Sequence, residues 1–266
     1  MVSAVPNSTR QHEHANVLGV AVSAVNMERA VQLAEAWISS GEKGYVCVTG
    51  VHGVMEAQAN SGFLSILNDA AINVPDGMPM SWVGHMQGFK TMDRVYGPDF
   101  MLKMCVTSVE RGYRHFLYGG HEGVAQLLAE RLQGKFPGLQ IVGTYTPPFR
   151  PLNAQEEQEL VRVVAESKPD ILWVGLSTPK QEKFMAAFGA RLNIPLLVGV
   201  GAAFDIHTGR SKDAPTWIKR AGLQWFHRSL QEPGRLGRRY LVNNPRFIVK
   251  ITRQLLSKKG NRLNAE

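Results

Sequence analysis

The sequence of 266 residues contains only two cysteines, Cys47 and Cys105, and lacks any long apolar run. Two cysteines exclude a disulfide framework and a four-cysteine zinc site. A membrane-spanning helix needs roughly 18 or more consecutive apolar residues, which no part of the sequence provides. Residues 1–16 also lack the positive start and apolar centre of a secretory signal. We therefore expect a cytoplasmic protein that is neither secreted nor embedded in a membrane.

Acidic residues are scarce near the C-terminus. Residues 210–262 hold 14 Lys and Arg against two acids, Asp213 and Glu232, while the whole chain carries a formal net charge of +8. All of the basic excess therefore lies in this segment. Such asymmetry favours a polyanionic partner: a membrane surface, a diphosphate ligand or nucleic acid. No recognisable nucleic-acid-binding fold accompanies it, so we expect no nucleic acid partner.

Short apolar runs alternate with amphipathic segments through most of the chain. Residues 27–40, for example, place Ala30, Ala34 and Ile38 at helical spacing. The nearly continuous apolar run 171–176 is typical of a central parallel strand. This alternation, with short connections, predicts an α/β three-layer, Rossmann-like domain with a mostly parallel sheet.

The same patterns divide the chain into three parts. Residues 1–15 are polar and aperiodic, and we predict a disordered N-terminal tail there. Residues 16–210 form the predicted α/β catalytic domain, and residues 17–22 are its first predicted strand. Residues 211–266 form a predicted basic helical appendage that associates with a membrane.

The appendage combines basic, aromatic and apolar residues. Pro233 and Pro245 divide it into about three short predicted helices. The last of these has Phe247, Ile251 and Leu255 at helical spacing, with one lysine and one arginine between them, which favours a helix lying on an anionic bilayer. A helix docked on the core, with its basic face in water, is the alternative.

Polar residues or glycines follow the ends of the predicted strands. In a parallel sheet these carboxyl ends meet at one edge, where α/β proteins bind ligands. The common position of these residues therefore predicts a cleft for a nucleotide ligand. They are Thr49, Asp76, Gly119, Gly120, Gln181 and Asp205.

Asp76 lies in the corner Pro75–Asp76–Gly77. Pro75 cannot donate to a sheet and Gly77 permits a positive φ, so the strand ends here and leaves a carboxylate at the edge. That carboxylate is a candidate catalytic group, but capping of the next helix is equally compatible with the pattern. For Thr49, too, the alternative role is to cap a helix. For Asp205 the alternative role is to cap a local turn.

Gly119, Gly120 and Gly123 form a glycine corner before a predicted helix, whose N-terminal N–H groups favour anions. Their spacing is not G-x-G-x-x-G, so the dinucleotide fingerprint is absent and a simple tight turn remains an alternative. Two further candidates also have an alternative role. His52 is a site residue or an ordinary polar residue of a helix's first turn, and Arg94 is a phosphate ligand or a surface arginine.

Several motifs occur together and in order: VPDGMP, RVYGPDFM, FLYGG, PKQE, GVGAAFDIHTG and AP-x-W-I-x-x-x-GL-x-W-x-x-R-x-x-x-EP-x-R. This combination, from about residue 17 to 250, resembles the WecG/TagA/CpsF family, glycosyltransferase family 26. The resemblance implies an inverting, metal-independent transfer of a sugar from a UDP-sugar to a polyprenyl-diphosphate-linked saccharide. It places the reaction at the cytoplasmic face of the membrane, in bacterial surface or exopolysaccharide synthesis. It implies no cofactor.

The family's functional residues are carried over to matching positions of this chain. Asp76 matches the proposed general base, and Thr49 lies beside it in the family pocket. Arg94 and Gln181 match residues expected to contact the donor and its phosphates, and Asp205 matches one expected at the uracil. The strand-end pattern adds His52, Gly119 and Gly120 as substrate-binding candidates. The appendage arginines expected to neutralise the departing diphosphate are Arg228, Arg235 and Arg238. The sequence has no DxD pair for a divalent ion, so these arginines would stabilise the departing UDP electrostatically.

One position departs from the family pattern. Many members have Thr-x-Asn at the second strand end, whereas this chain has Thr49-Gly50-Val51. Without the asparagine amide, N-acetylmannosamine is in doubt as the donor sugar, and a hexose is a reasonable alternative. His52 would take over part of the role of the asparagine.

A non-catalytic regulator that binds a nucleotide sugar is the alternative function. The sequence does not decide whether the chain forms a homo-oligomer.

Overall fold

The computed structural model describes residues 12–257, apart from the side chains of Arg235 and Arg238. In this part the strands are β1 (His14–Val17), β2 (Val20–Ser23), β3 (Gly44–Thr49), β4 (Ile72–Pro75), β5 (Arg114–Gly119), β6 (Gln140–Tyr145), β7 (Ile171–Gly175) and β8 (Leu196–Gly199). The helices of the α/β domain are α1 (Met27–Ser40), α2 (Val51–Ala59), α3 (Ser61–Asn68), α4 (Met78–Met86), α5 (Gly97–Arg111), α6 (Val124–Lys135), α7 (Ala154–Ser167), α8 (Lys180–Leu192) and α9 (Ala203–His207). The appendage contains α10 (Thr216–Arg220), α11 (Gln224–Gln231), a π-helical turn (Pro233–Gly237) and α12 (Arg238–Leu256).

Strands β3 to β8 form one parallel sheet in the order β4-β3-β8-β7-β5-β6. Successive side chains of a strand point to opposite faces of a sheet. Accordingly, Leu172 packs in the core beneath α2, α3, α7 and α8, whereas Trp173 packs in the core beneath α1, α5 and α6. These features confirm the prediction of a three-layer, Rossmann-like α/β domain that is followed along the chain by a basic helical segment.

The single first strand predicted at residues 17–22 is wrong. The chain instead forms an antiparallel hairpin, β1–β2, apart from the main sheet. Leu18 and Gly19 turn the chain with φ values of 54° and 84°, a conformation suited to a two-residue hairpin loop. Residues 14 and 15 thus belong to β1 rather than to the predicted tail, and residues 1–11 lie outside the described part.

The break predicted at Pro245 is also wrong, because α12 continues through this proline. Proline inside a helix typically costs about 3 kcal/mol, so favourable contacts must offset it. Phe247 and Ile251, which follow it, are only 4% and 7% exposed and join the core. Gln254 then binds the hairpin through hydrogen bonds of 2.7 Å to the Leu18 N–H and the Asn16 carbonyl. Helix α12 is therefore docked along one face.

Candidate active site

A cleft of about 660 Å³ runs along the carboxyl edge of the sheet, within the usual size range of ligand sites. Strands β4, β5, β7 and β8 point into it, and α11 and the start of α12 complete its wall. The predicted site residues that line it are Asp76, Gly120, Gln181, Asp205 and Arg228. Thr49, His52, Arg94 and Gly119 lie outside this lining. The side chains of Arg235 and Arg238 lie outside the described part.

Asp76 lines the cleft and does not cap the helix that follows it. Helix α4 begins after Gly77, whose φ is 87°, and its N-terminus has no side-chain cap. The Asp76 N–H donates to the Thr49 carbonyl at 2.9 Å, which fixes the backbone. Burial raises the pKa of Asp76, while the positive charges of Arg94 and Arg228 act in the opposite direction. A carboxyl group with a raised pKa in a cleft is suited to accept a proton.

Thr49 and Gly50 hold the neighbouring strand end close to Asp76. Thr49 is 3% exposed, and its Oγ1 has no hydrogen-bond partner among the described residues. A Cβ at Gly50 would lie 2.9 Å from the Asp76 carbonyl oxygen, so only glycine allows the two backbones to approach this closely. The two strand ends predicted to meet are therefore in contact.

Arg94 joins the catalytic domain to the appendage. Its Nη2 donates to Gln224 Oε1 at 2.6 Å, and its guanidinium lies 4.2 Å from the centre of the Tyr96 ring. The Tyr96 hydroxyl in turn donates to Asp213 Oδ1 at 2.9 Å. Arg94 is thus neither a free surface arginine nor part of the cleft lining, although its charge acts on Asp76.

Gln181 is fixed at the floor of the cleft by a buried network. Its Oε1 accepts the Gly201 N–H at 2.9 Å, and its Nε2 donates to Glu182 Oε1 at 3.0 Å. The same Glu182 oxygen accepts a hydrogen bond from Thr178 at 2.8 Å. Burial raises the pKa of Glu182. This network sets the orientation of the Gln181 amide. Through it, the segments that follow β7 and β8 are hydrogen-bonded to each other.

Asp205 lies within the short helix α9 and is half-buried on the cleft wall. Helix α9 begins after Ala202, so Asp205 does not cap it. Arg210 lies 3.4 Å from its Oδ1. Asp205 Oδ1 has no hydrogen-bond partner among the described residues, so the carboxylate can accept a hydrogen bond from a ligand in the cleft.

The glycines that follow β5 mainly allow close packing within the sheet. A Cβ at Gly119 would lie 2.6 Å from the Gly175 carbonyl oxygen, so glycine lets β5 approach β7. The Gly120 N–H donates to that same oxygen at 3.1 Å. The Gly120 N–H is therefore used within the sheet, while Gly120 also lines the cleft.

His52 contacts the appendage. Asn243 Nδ2 of α12 lies 3.2 Å from His52 Nδ1 and donates to it when that nitrogen is unprotonated. Burial, followed by the charge of Arg239, lowers the pKa of His52 to about 4, so the ring is neutral at neutral pH. These contacts indicate that His52 helps to dock α12 on the α/β domain.

Sequence reasoning did not single out several residues that line the cleft. They include Tyr96, Tyr118, Phe149, Arg150 and Arg239. Tyr96 stands between Arg94 and Gly97 in the RVYG motif, and Arg239 directly follows Arg238. Both positions were therefore adjacent to predicted site residues. The loop containing Phe149 and Arg150 offered only its prolines as a signal.

A parallel α/β sheet with a desolvated carboxyl group and cationic side chains at its carboxyl edge defines a ligand-binding, Rossmann-like protein. The model of the glycosyl transferase WecG/TagA/CpsF family matches residues 15–261. The chain therefore belongs to this family, as its motifs indicated, and is a glycosyltransferase.

Three similar proteins are each named as an N-acetylglucosaminyldiphosphoundecaprenol N-acetyl-beta-D-mannosaminyltransferase. The protein of Bacillus spizizenii strain W23 is 28% identical over 196 residues, which cover 74% of each chain. That of Bacillus subtilis strain 168 is 24% identical over 197 residues, again 74% of each chain. That of Staphylococcus aureus strain MW2 is 24% identical over 74% of this chain and 75% of its own.

Proposed function

We propose that this protein transfers a sugar from a UDP-sugar to a polyprenyl-diphosphate-linked saccharide, by an inverting and metal-independent reaction at the cytoplasmic face of the membrane. The observation that carries the proposal is the meeting of Asp76, from the sheet, and Arg228, from the appendage, in one cleft. Family membership supports sugar transfer, and the names of the relatives support a lipid-diphosphate acceptor.

The proposed step needs one base and one stabilised leaving group. The acceptor hydroxyl oxygen attacks the anomeric carbon from the side opposite UDP, while Asp76 takes the hydroxyl proton. The bond from the anomeric carbon to the phosphate oxygen breaks, and UDP leaves with the electron pair. Arg228 faces the same space and balances the developing negative charge, a contribution that is large in a cleft shielded from water.

The remaining site residues hold the donor in this proposal. Gln181, oriented by Glu182, offers its amide beside the exits of β7 and β8, and Asp205 accepts from the uracil or ribose. The Thr49 hydroxyl beside Asp76 has no hydrogen-bond partner within residues 12–257, and Arg94 contributes charge near the phosphates. Arg235 and Arg238 are proposed to join Arg228.

The donor sugar is proposed to be a hexose or an N-acetylmannosamine-type sugar. Val51, where many family members have asparagine, is half-buried and packs against the core, so it offers no hydrogen bond to an acetamido group. His52 cannot replace that amide while its ring contacts Asn243. Both observations favour a hexose.

The test measures UDP release from a panel of UDP-sugars with a lipid-diphosphate saccharide acceptor. Asp76→Asn keeps the size of the side chain but removes the base, so we expect turnover to fall by about 10²–10⁴-fold with UDP affinity retained. Treatment with EDTA should leave wild-type turnover unchanged. Undiminished turnover in Asp76→Asn would exclude Asp76 as the base. UDP binding without any transfer by the wild type would favour a non-catalytic regulator.

A further inference from the structure

Helix α11 has two faces with different chemistry. Toward the core, Gln224 accepts a hydrogen bond from Arg94, and Arg228 lines the cleft. Away from the core it exposes an apolar stripe at helical spacing. The stripe consists of Leu223, directly before the helix, with Phe226 and Leu230, which are 43%, 51% and 68% exposed. Whatever covers the stripe therefore also contacts the helix that holds Arg228 in the cleft.

Helix α4 extends this apolar surface into the catalytic domain. Trp82 and Met86 lie one helical turn apart and are 46% and 61% exposed. The turn between α10 and α11 lies against the indole, because a Cβ at Gly222 would be 2.8 Å from the Trp82 ring. Leu223 directly follows this contact, so the α11 stripe begins beside α4.

The hairpin ties α4 to α12 as well. The Asn16 carbonyl accepts hydrogen bonds of 2.7 Å from Gln87, at the end of α4, and from Gln254 of α12. Helix α12 also exposes apolar side chains, namely Leu241, Val242, Ile248, Val249 and Leu256. Exposed cations lie among them, namely Arg246, Lys250 and Arg253. The outer sides of α4, α11 and α12 are thus held in a fixed relation by the core.

We propose that α4 of the catalytic domain rests on an anionic bilayer together with the appendage, with Trp82 and Met86 entering the lipid interface beside the α11 stripe. Tryptophan favours this depth of a bilayer. The strong basic excess of residues 210–262 is attracted by anionic headgroups, whereas two copies of the same basic surface would repel each other. The choice of a bilayer rests on the proposed function, because a lipid-linked acceptor lies in a membrane.

This contact would set the height of the reaction above the membrane. Helix α4 begins two residues after Asp76, and at ~1.5 Å per residue it runs ~12 Å from Met78 to Met86. A bilayer under Trp82 and Met86 therefore holds the candidate base at a fixed short distance from the headgroups. A saccharide attached to a lipid through a diphosphate projects into the same zone.

The test uses a fluorophore that responds to its surroundings, and it needs neither donor nor acceptor. Cys47 and Cys105 are fully buried, so NBD can be attached selectively to Met86→Cys in the full chain. The matched control is Val106→Cys, 48% exposed on α5, which covers the opposite face of the sheet. On adding phosphatidylcholine–phosphatidylglycerol vesicles, we expect a blue shift and a rise in emission at position 86 and none at position 106.

A second arm measures affinity for the same vesicles by sedimentation. Trp82→Ser should weaken binding by about tenfold, as expected for loss of one large apolar side chain from the interface. Circular dichroism checks that the variant is folded. A response at a labelled Leu230→Cys without one at position 86 would confine contact to the appendage and overturn the proposal. A response that follows protein concentration without vesicles would assign the surface to a second copy. Absence of transferase activity would refute the proposed function but leave this result standing.

Discussion

At the residue scale, the site depends on how its carboxyl and cationic groups affect one another. Asp76 is the clearest case, because burial and two arginines act on its pKa in opposite directions. The strand-end pattern placed Asp76 and Thr49 correctly side by side, since parallel topology brings consecutive strand ends together. The contact of His52 could not be predicted in this way. Its partner Asn243 is 191 residues away along the chain, and no local pattern encodes such a pair.

Replacing Arg228 should move the pH dependence of turnover. A general base works when deprotonated, so kcat/KM should fall as the pH drops through the pKa of Asp76. Arg228 lowers that pKa, and Arg228→Gln removes its charge, so the acidic limb of the pH profile should move to higher pH. Arg228→Lys keeps the charge and is the control, with a limb near that of the wild type. An identical limb in the Gln variant would mean that Arg228 acts only on the leaving group.

At the element scale, the strands and helices of the α/β domain follow from local signals. Asn153 and Glu156, three residues apart, form a capping box at the start of α7, with reciprocal hydrogen bonds of 2.9 and 2.8 Å. The hairpin was missed because Leu18, a residue that rarely adopts a positive φ, shares its turn with Gly19. The continuation of α12 was missed because burial of Phe247 and Ile251 outweighs the local effect of Pro245. Tertiary packing decided both cases where local propensity failed.

The close approach of β3 and β4 predicts a sensitive glycine. In Gly50→Ala the new Cβ would meet the Asp76 carbonyl oxygen at 2.9 Å, and the backbone holding Asp76 must shift. A displacement of about 1 Å typically costs on the order of 10²-fold in rate, so we expect kcat/KM to fall to that extent. Gly189→Ala, in α8 with no atom of the described part of the chain within 4 Å of its Cβ position, should keep full activity. Normal activity of Gly50→Ala would show that Asp76 tolerates this shift.

Docking of α12 predicts unequal effects at two neighbouring positions. Phe247 is 4% exposed and Ile248 is 61% exposed. Phe247→Ala should lower the free energy of unfolding by about 3–5 kcal/mol because it leaves a cavity in the core. Ile248→Ala, on the outer side, should change it by about 0.5 kcal/mol or less. Urea denaturation measures both. Equal small effects would mean that α12 is not docked on the core in solution.

At the scale of the whole molecule, the appendage carries the basic surface and also packs against the α/β domain as part of the folded structure. Leu236, Phe247 and Ile251 are buried, and Arg94 and Tyr96 bind Gln224 and Asp213. Deleting residues 211–266 would therefore expose part of the core and remove Arg228 at once. Such a deletion cannot separate membrane binding from folding. Substitutions on the outer surface can, because they leave the docked face intact.

The outer cations of α12 give the sharpest test of a membrane partner. Arg246, Lys250 and Arg253 are exposed, and each basic residue near an anionic bilayer contributes about 1 kcal/mol. Changing all three to Gln should weaken binding to phosphatidylglycerol-containing vesicles by about 100-fold at low salt, and by less at high salt because ions screen exposed charges. The control changes three exposed lysines of the catalytic domain, Lys43, Lys103 and Lys168, and should bind as the wild type does. Equal losses in both variants would mean that net charge alone, rather than this surface, attracts the membrane.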